Sequence, residues 1–146
     1  MDVVVVVDVD VDVVMVVDEE RTEPRSRTCN APVRMNYRNL DVYQKSVRFL
    51  PLASQLADKL PSQYADLADQ VRRASLSIVL NIAEGSGKTS GPDQRRFYAM
   101  ARGSAMECGA IVDACLSLRL LEQASAKEAE DLLSGVVQML SKMCRG

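Results

Sequence analysis

Residues 70–85 read QVRRASLSIVLNIAEG. At 100° per residue the stretch is an α-helix with two apolar stripes. Val71, Ala74, Ile78 and Ile82 form the first. Leu76, Val79, Leu80 and Ala83 form the second, on nearly the opposite side. Between them runs a polar line of Gln70, Arg73, Ser77, Asn81 and Glu84. One stripe is enough for a surface helix; two must be covered from two sides. The cover for the second stripe is either a neighbouring helix of the same chain or another copy of the protein.

Outward from this stretch the chain gives four helical segments. The first spans about 39–60, with Leu40, Tyr43, Val47, Leu50, Ala53, Ala57 and Leu60 at helical spacing. Pro51 inside it predicts a kink or a break near residues 49–50. The second spans about 64–84 and stops at Gly85. The third runs from about Pro92 to Leu121. Its expected seam is Phe97, Ala101, Ser104, Cys108, Ile111, Cys115 and Leu118. The fourth starts at Ser125, where Ser-Ala-Lys-Glu reads as a capping box with Glu128. Its apolar face is Ala129, Leu132, Leu133, Val136, Val137, Leu140 and Met143. Four amphipathic helices with short connections predict an all-α fold, an antiparallel up-down-up-down four-helix bundle, over residues 36–146.

Residues 1–35 read differently. The first 18 are low-complexity Val and Asp, followed by a polar linker with Pro24 and Pro32. The tract lacks the basic start and unbroken apolar run of a signal peptide. It reads as a dispensable, disordered extra; the other reading is an acidic interaction arm. Residues 1–30 hold eight acids and three arginines, a charge of −5, so the −2 of the whole chain leaves +3 on the remainder. A mildly basic body permits a nucleic-acid patch without demanding one.

Composition narrows the chemistry. The chain has no histidine, which removes imidazole acid–base catalysis, His-activated nucleophiles and most zinc sites. Cys29, Cys108, Cys115 and Cys144 lack metal-site or CxxC spacing; Cys108 and Cys115 read as buried thiols suited to a reducing cytosol. No catalytic residue, cofactor or metal is expected. No run is long and uncharged enough to span a membrane.

Gly85-Ser-Gly-Lys-Thr-Ser suggests a phosphate loop, but the pattern GxxxxGK[ST] needs glycine at 82, where Ile82 stands, and a strand before it. Lys88 is left as a simple point charge. In a hairpin turning near Lys88, facing residues sum to about 177, which sets Glu107 opposite Gln70 and Ser104 opposite Arg73. This register predicts an Arg73–Glu107 ion pair and a hydrogen-bonded Asn81. Such a network either only specifies the bundle or contributes to a functional surface. Arg72, Arg73, Arg95, Arg96 and Arg102, with Lys88, are the candidate nucleic-acid contacts; the competing reading is a solvated charged face diluted by Asp66, Asp69 and Asp93.

The segments LDVYQKSVRFLPLASQLADKLP, DQVRRASLSIVLNIAEGSGK and FYAMARGSAMECGAIVDACLSL resemble the four-helix-bundle proteins encoded by intervening sequences in bacterial 23S rRNA genes. That family includes the accessory variability determinant of diversity-generating retroelements. The most specific piece is QVRRASLSIVLNIAEG, in which Gln70, Arg72, Arg73, Ala74, Ser77, Asn81, Ala83, Glu84 and Gly85 carry the family's pattern, with Ser75, two positions before Ser77, as the alternative serine. Ala101, Gly103, Ser104 and Glu107 match a second run, A-x-G-S-x-x-E. The resemblance implies a ring-like homopentamer without known enzyme activity. In the retroelement branch it also implies binding of nucleic acid and a reverse transcriptase through a basic surface. The mild charge of this body and its Val/Asp head depart from that pattern. The alternative function is a structural or protein-interaction scaffold.

Because residues 1–30 lie outside every pattern above, their deletion is expected to leave thermal melting and oligomer size unchanged, measured by circular dichroism and light scattering.

Overall fold

The computed structural model describes residues 35–145; the Val/Asp tract and most of the linker lie outside the described residues. The chain enters through a 3₁₀ turn at Asn36–Asn39. Four helices follow: α1 (Asp41–Lys59), α2 (Ala65–Ser86), α3 (Gly91–Ser117) and α4 (Gln123–Met143). Each packs on the next, and α4 closes on α1, giving the expected antiparallel four-helix bundle.

The inner stripe of α2 is the centre of the core. Val71, Ala74, Ile78 and Ile82 are all buried, together with Phe49, Cys108, Val112, Val136 and Leu140 from the other helices. Burying each large aliphatic side chain contributes roughly 1.5–3 kcal/mol. Many of the remaining core positions are alanines, among them Ala53, Ala101, Ala105, Ala126 and Ala129, which let the helices approach closely.

The expected stripe of α1 holds in part, with Ala53 and Ala57 buried and Leu40, Tyr43 and Leu60 packed partly against the core, but the deepest face of the helix is shifted from it. Val42, Ser46, Phe49, Ala53, Leu56 and Ala57 are buried, while Val47 is exposed. The sequence reading missed this shift because Ser46 interrupts the buried stripe. Ser46 is tolerated there because its hydroxyl donates to the Val42 carbonyl at 2.7 Å. Pro51 does not break α1 into two pieces. Pro51 and Val47, whose carbonyl loses its helical partner, are both exposed residues, so water can satisfy that carbonyl.

Three helix boundaries also differ. Helix α4 begins at Gln123 without a side-chain cap, so Ser125 sits inside its first turn and the expected capping box does not form. Helix α3 ends at Ser117. Arg119 takes a left-handed φ of 59°, and Leu120 N–H donates to the Cys115 carbonyl at 2.8 Å, a Schellman-type stop. The seam of α3 is correspondingly shifted: Tyr98, Ala105 and Val112 join the core in place of Phe97, Ser104 and Leu118.

Gly85 is not the stop of α2. The helix continues to Ser86, and Gly85 is buried within it. A Cβ at Gly85 would meet Tyr98 Cε1 at 2.8 Å and Phe97 Cβ at 3.1 Å, so the glycine lets α3 lie directly against α2. Gly109 has open space around its missing Cβ. Gly85→Ala is therefore expected to destabilise the fold by about 1–3 kcal/mol through overpacking. Gly109→Ala should stabilise it by about 0.5–1 kcal/mol through helix propensity. Urea titration of both variants checks the contrast.

Candidate functional site

The polar line of α2 meets α3 in a seam of hydrogen bonds. The hydroxyls of Ser77 and Ser104 pair at 2.9 Å. Asn81 Nδ2 donates to the Ser77 carbonyl at 2.8 Å and to its hydroxyl at 3.0 Å. Gln70 Nε2 donates to Glu107 Oε1. Asn81 is thus hydrogen-bonded, as expected. The Arg73–Glu107 ion pair is not formed: Glu107 takes Gln70, and Ser104 faces Ser77 rather than Arg73. Gln70 and Ser77 are seven residues apart and share the side of α2 that faces α3. Arg73 is turned outward from both and lines the rim of the same shallow groove, with Ala74 at its floor.

The candidate cations do not form one patch. Arg72 Nη2 pairs with Asp58 of α1 at 2.7 Å, and its Nη1 lies 3.5 Å from Asp69. Lys88 pairs with Glu84 at 3.0 Å, and its ammonium sits 4.6 Å from the centroid of Phe97. Arg95 and Arg96 are exposed near the start of α3, with Arg96 5.8 Å from the same ring, and Arg102 is half-buried further along. Arg72 and Arg73 lie in the other half of α2. A single face carrying all six is therefore excluded by their placement.

The second apolar stripe of α2 divides in two. Leu76 and Leu80 are 48% and 58% exposed, so none of the four described helices covers them. Ala83 is half-buried. Val79 is 7% exposed and belongs to the bundle. It lies seven residues from Arg72, on the side of α2 that Arg72 ties to α1. The expected four-residue surface therefore reduces to Leu76 and Leu80, with Ala83 at its edge.

Sequence reasoning missed a groove between α3 and α4. It is about 430 Å³ and is lined by Met106, Gly109, Leu133 and Val137, with Asp113 and Glu130 at its rim. The only sequence signal was Met106, an apolar residue off the expected seam of α3.

Cys108 and Cys115 are fully buried free thiols. Burial, reinforced by the Glu107 charge, pushes the Cys108 thiol up to about 12. Burial also raises Cys115 and the Tyr98 phenol. Among the described residues, no helix is long and apolar enough to cross a membrane.

The arrangement defines an all-α four-helix bundle with a polar interhelical seam and an uncovered apolar strip. The model of the 23S rRNA-intervening sequence protein family matches residues 38–142, and the chain belongs to that family. No curated protein matches it. Among solved structures, it is similar to the crystal structure of a protein of unknown function from the S23 ribosomal protein family of Bacteroides thetaiotaomicron. The TM-score is 0.66 at 18% identity, over 72% of this chain and 99% of that one. At that identity the likeness concerns the fold.

A thiol raised by folding stays neutral in the native state while its unfolded counterpart ionises near its ordinary value of 9.0. Its stabilising effect is complete below that value and is lost as pH rises through the window toward about 12. The melting temperature is expected to fall between those limits, and to fall less steeply in Cys108→Ala, as followed by circular dichroism.

Proposed function

We propose that this protein is a non-enzymatic accessory factor of the cytoplasm that assembles with copies of itself and binds RNA or DNA through backbone phosphates. The observation that carries the reading is the exposure of Leu76 and Leu80 on a helix whose other sides are packed. Leaving two leucines in water forfeits roughly 1.5–3 kcal/mol each relative to burial. A second copy laid on the strip recovers that energy, with Ala83 at its edge and the Arg72–Asp58 pair at its rim. Repeated head-to-tail around an axis, the contact closes a ring, and the homopentamer implied by the family resemblance is the assembly we favour.

The nucleic-acid part rests on the mildly basic body and on Arg73, Arg95 and Arg96, which are exposed, and on Arg102, which is half-buried further along α3. Contacts of this kind position a phosphate backbone without reading sequence. In a retroelement setting a reverse transcriptase is the protein partner; in an rRNA-insert setting the neighbouring gene is 23S rRNA. The second reading, a protein-interaction scaffold, draws on the α3–α4 groove, whose apolar floor and acidic rim suit a basic amphipathic segment.

Leu76→Asp with Leu80→Asp tests the assembly. The expected outcome is a smaller species by light scattering with helical circular dichroism retained, since neither residue is part of the core. An unchanged oligomer would place the interface elsewhere.

A further inference from the structure

The charges of the bundle are sorted by end. The midpoints of the four helices divide residues 35–145 into two halves. The half holding the α2–α3 connection, the starts of α1 and α3 and the ends of α2 and α4 carries nine Lys and Arg against three Asp and Glu, a net +6. The opposite half carries five against nine, a net −4. The overall charge conceals this polarity.

Four separate elements supply the cations of the basic end. Arg38 comes from the entry turn, whose carbonyl at that residue accepts from Gln44 Nε2 at 3.0 Å. Lys88 comes from the hairpin connection, Arg95 and Arg96 from α3, and Lys142 and Arg145 from the end of α4. The thiol of Cys144 lies 3.9 Å from the Arg95 carbonyl, which sets the end of α4 beside the start of α3. All but the half-buried Lys88 are exposed. Among the described residues, Lys88–Glu84 is the salt bridge at this end.

Helix capping does not account for the cluster. Lys142 and Arg145 suit a helix C-terminus, but Arg38, Arg95 and Arg96 lie near helix N-termini, where the dipole disfavours cations. Nor does the shape suit a membrane, because a membrane-lying helix presents its long apolar face and this surface is made of helix ends.

Resting on the nucleic-acid reading above, we propose that the basic end of the bundle is its phosphate-binding surface, with Arg38, Lys142 and Arg145 completing what Lys88, Arg95 and Arg96 begin. The ligand is the backbone of RNA or DNA, held by charge at a surface that no single helix contains.

The test uses the full chain with a fluorescein-labelled single-stranded RNA and a labelled DNA duplex, read by fluorescence anisotropy over a salt series. Lys142→Glu with Arg145→Glu is expected to weaken binding at low salt by about tenfold or more. It should also reduce the slope of log affinity against log salt by about 2, one per lost contact. Arg38→Glu alone, on a different element, should act in the same direction. Lys59→Glu with Lys127→Glu makes the same change in net charge at the other end and should leave affinity unchanged. Equal losses from both ends, or losses from Arg95→Glu with Arg96→Glu alone, would overturn the proposal while leaving the nucleic-acid reading intact. Absence of binding by the unaltered chain would overturn that reading, and the proposal with it. Tighter binding to phosphatidylserine vesicles than to either nucleic acid at the same salt would do so too.

Discussion

Tyr98 lies so close to Gly85 that a single added methyl group would reach within 2.8 Å of its ring. This approach brings α2 and α3 together at the hairpin end. From there the seam continues through Ser77–Ser104 to Gln70–Glu107, so the two helices are joined by close packing at one end and by hydrogen bonds along the rest. A polar seam of this kind specifies register, because sliding one helix by a turn would separate the half-buried hydroxyls of Ser77 and Ser104. The register then determines which side of α2 faces the core and which faces out. It also brings Lys88 over Phe97, beside Arg96.

Two consequences for function follow from that placement. With its inner stripe in the core, α2 turns Leu76 and Leu80 outward, where no other described helix covers them and where we propose that a second copy packs. With the hairpin end fixed against the end of α4, cations distant in sequence gather on one surface while the acids collect at the other end. The surfaces we propose for assembly and for phosphate binding lie on different parts of the bundle, a side and an end.

Much of this was legible in the sequence, and what was not has identifiable causes. The inner stripe of α2 stood out because four consecutive aliphatic and alanine positions obey the helical period without interruption. The outer stripe was legible as a surplus, but its division was not. Val79 and Leu80 are adjacent and equally apolar, and only the placement of the surrounding helices decides that the first is buried and the second exposed. The deepest face of α1 was hidden by Ser46, a polar residue that satisfies its hydroxyl within its own helix. Gly85 was read as a stop because glycine serves both as a helix terminator and as a point of close approach, and the distinction depends on Tyr98. Arg73 was assigned to Glu107 by register alone, whereas Gln70 reaches Glu107 from the side of the helix that faces α3. The polarity of charge needed the chain folded, since its members come from four elements.

The claim that the polar seam sets the register of α2 against α3 is tested most directly by a double-mutant cycle on Ser77→Ala and Ser104→Ala, measured by chemical denaturation. The account predicts that the two losses are not additive, with a coupling of about 0.5–1.5 kcal/mol. Simple additivity would contradict it, because the two hydroxyls would then contribute to stability without touching each other.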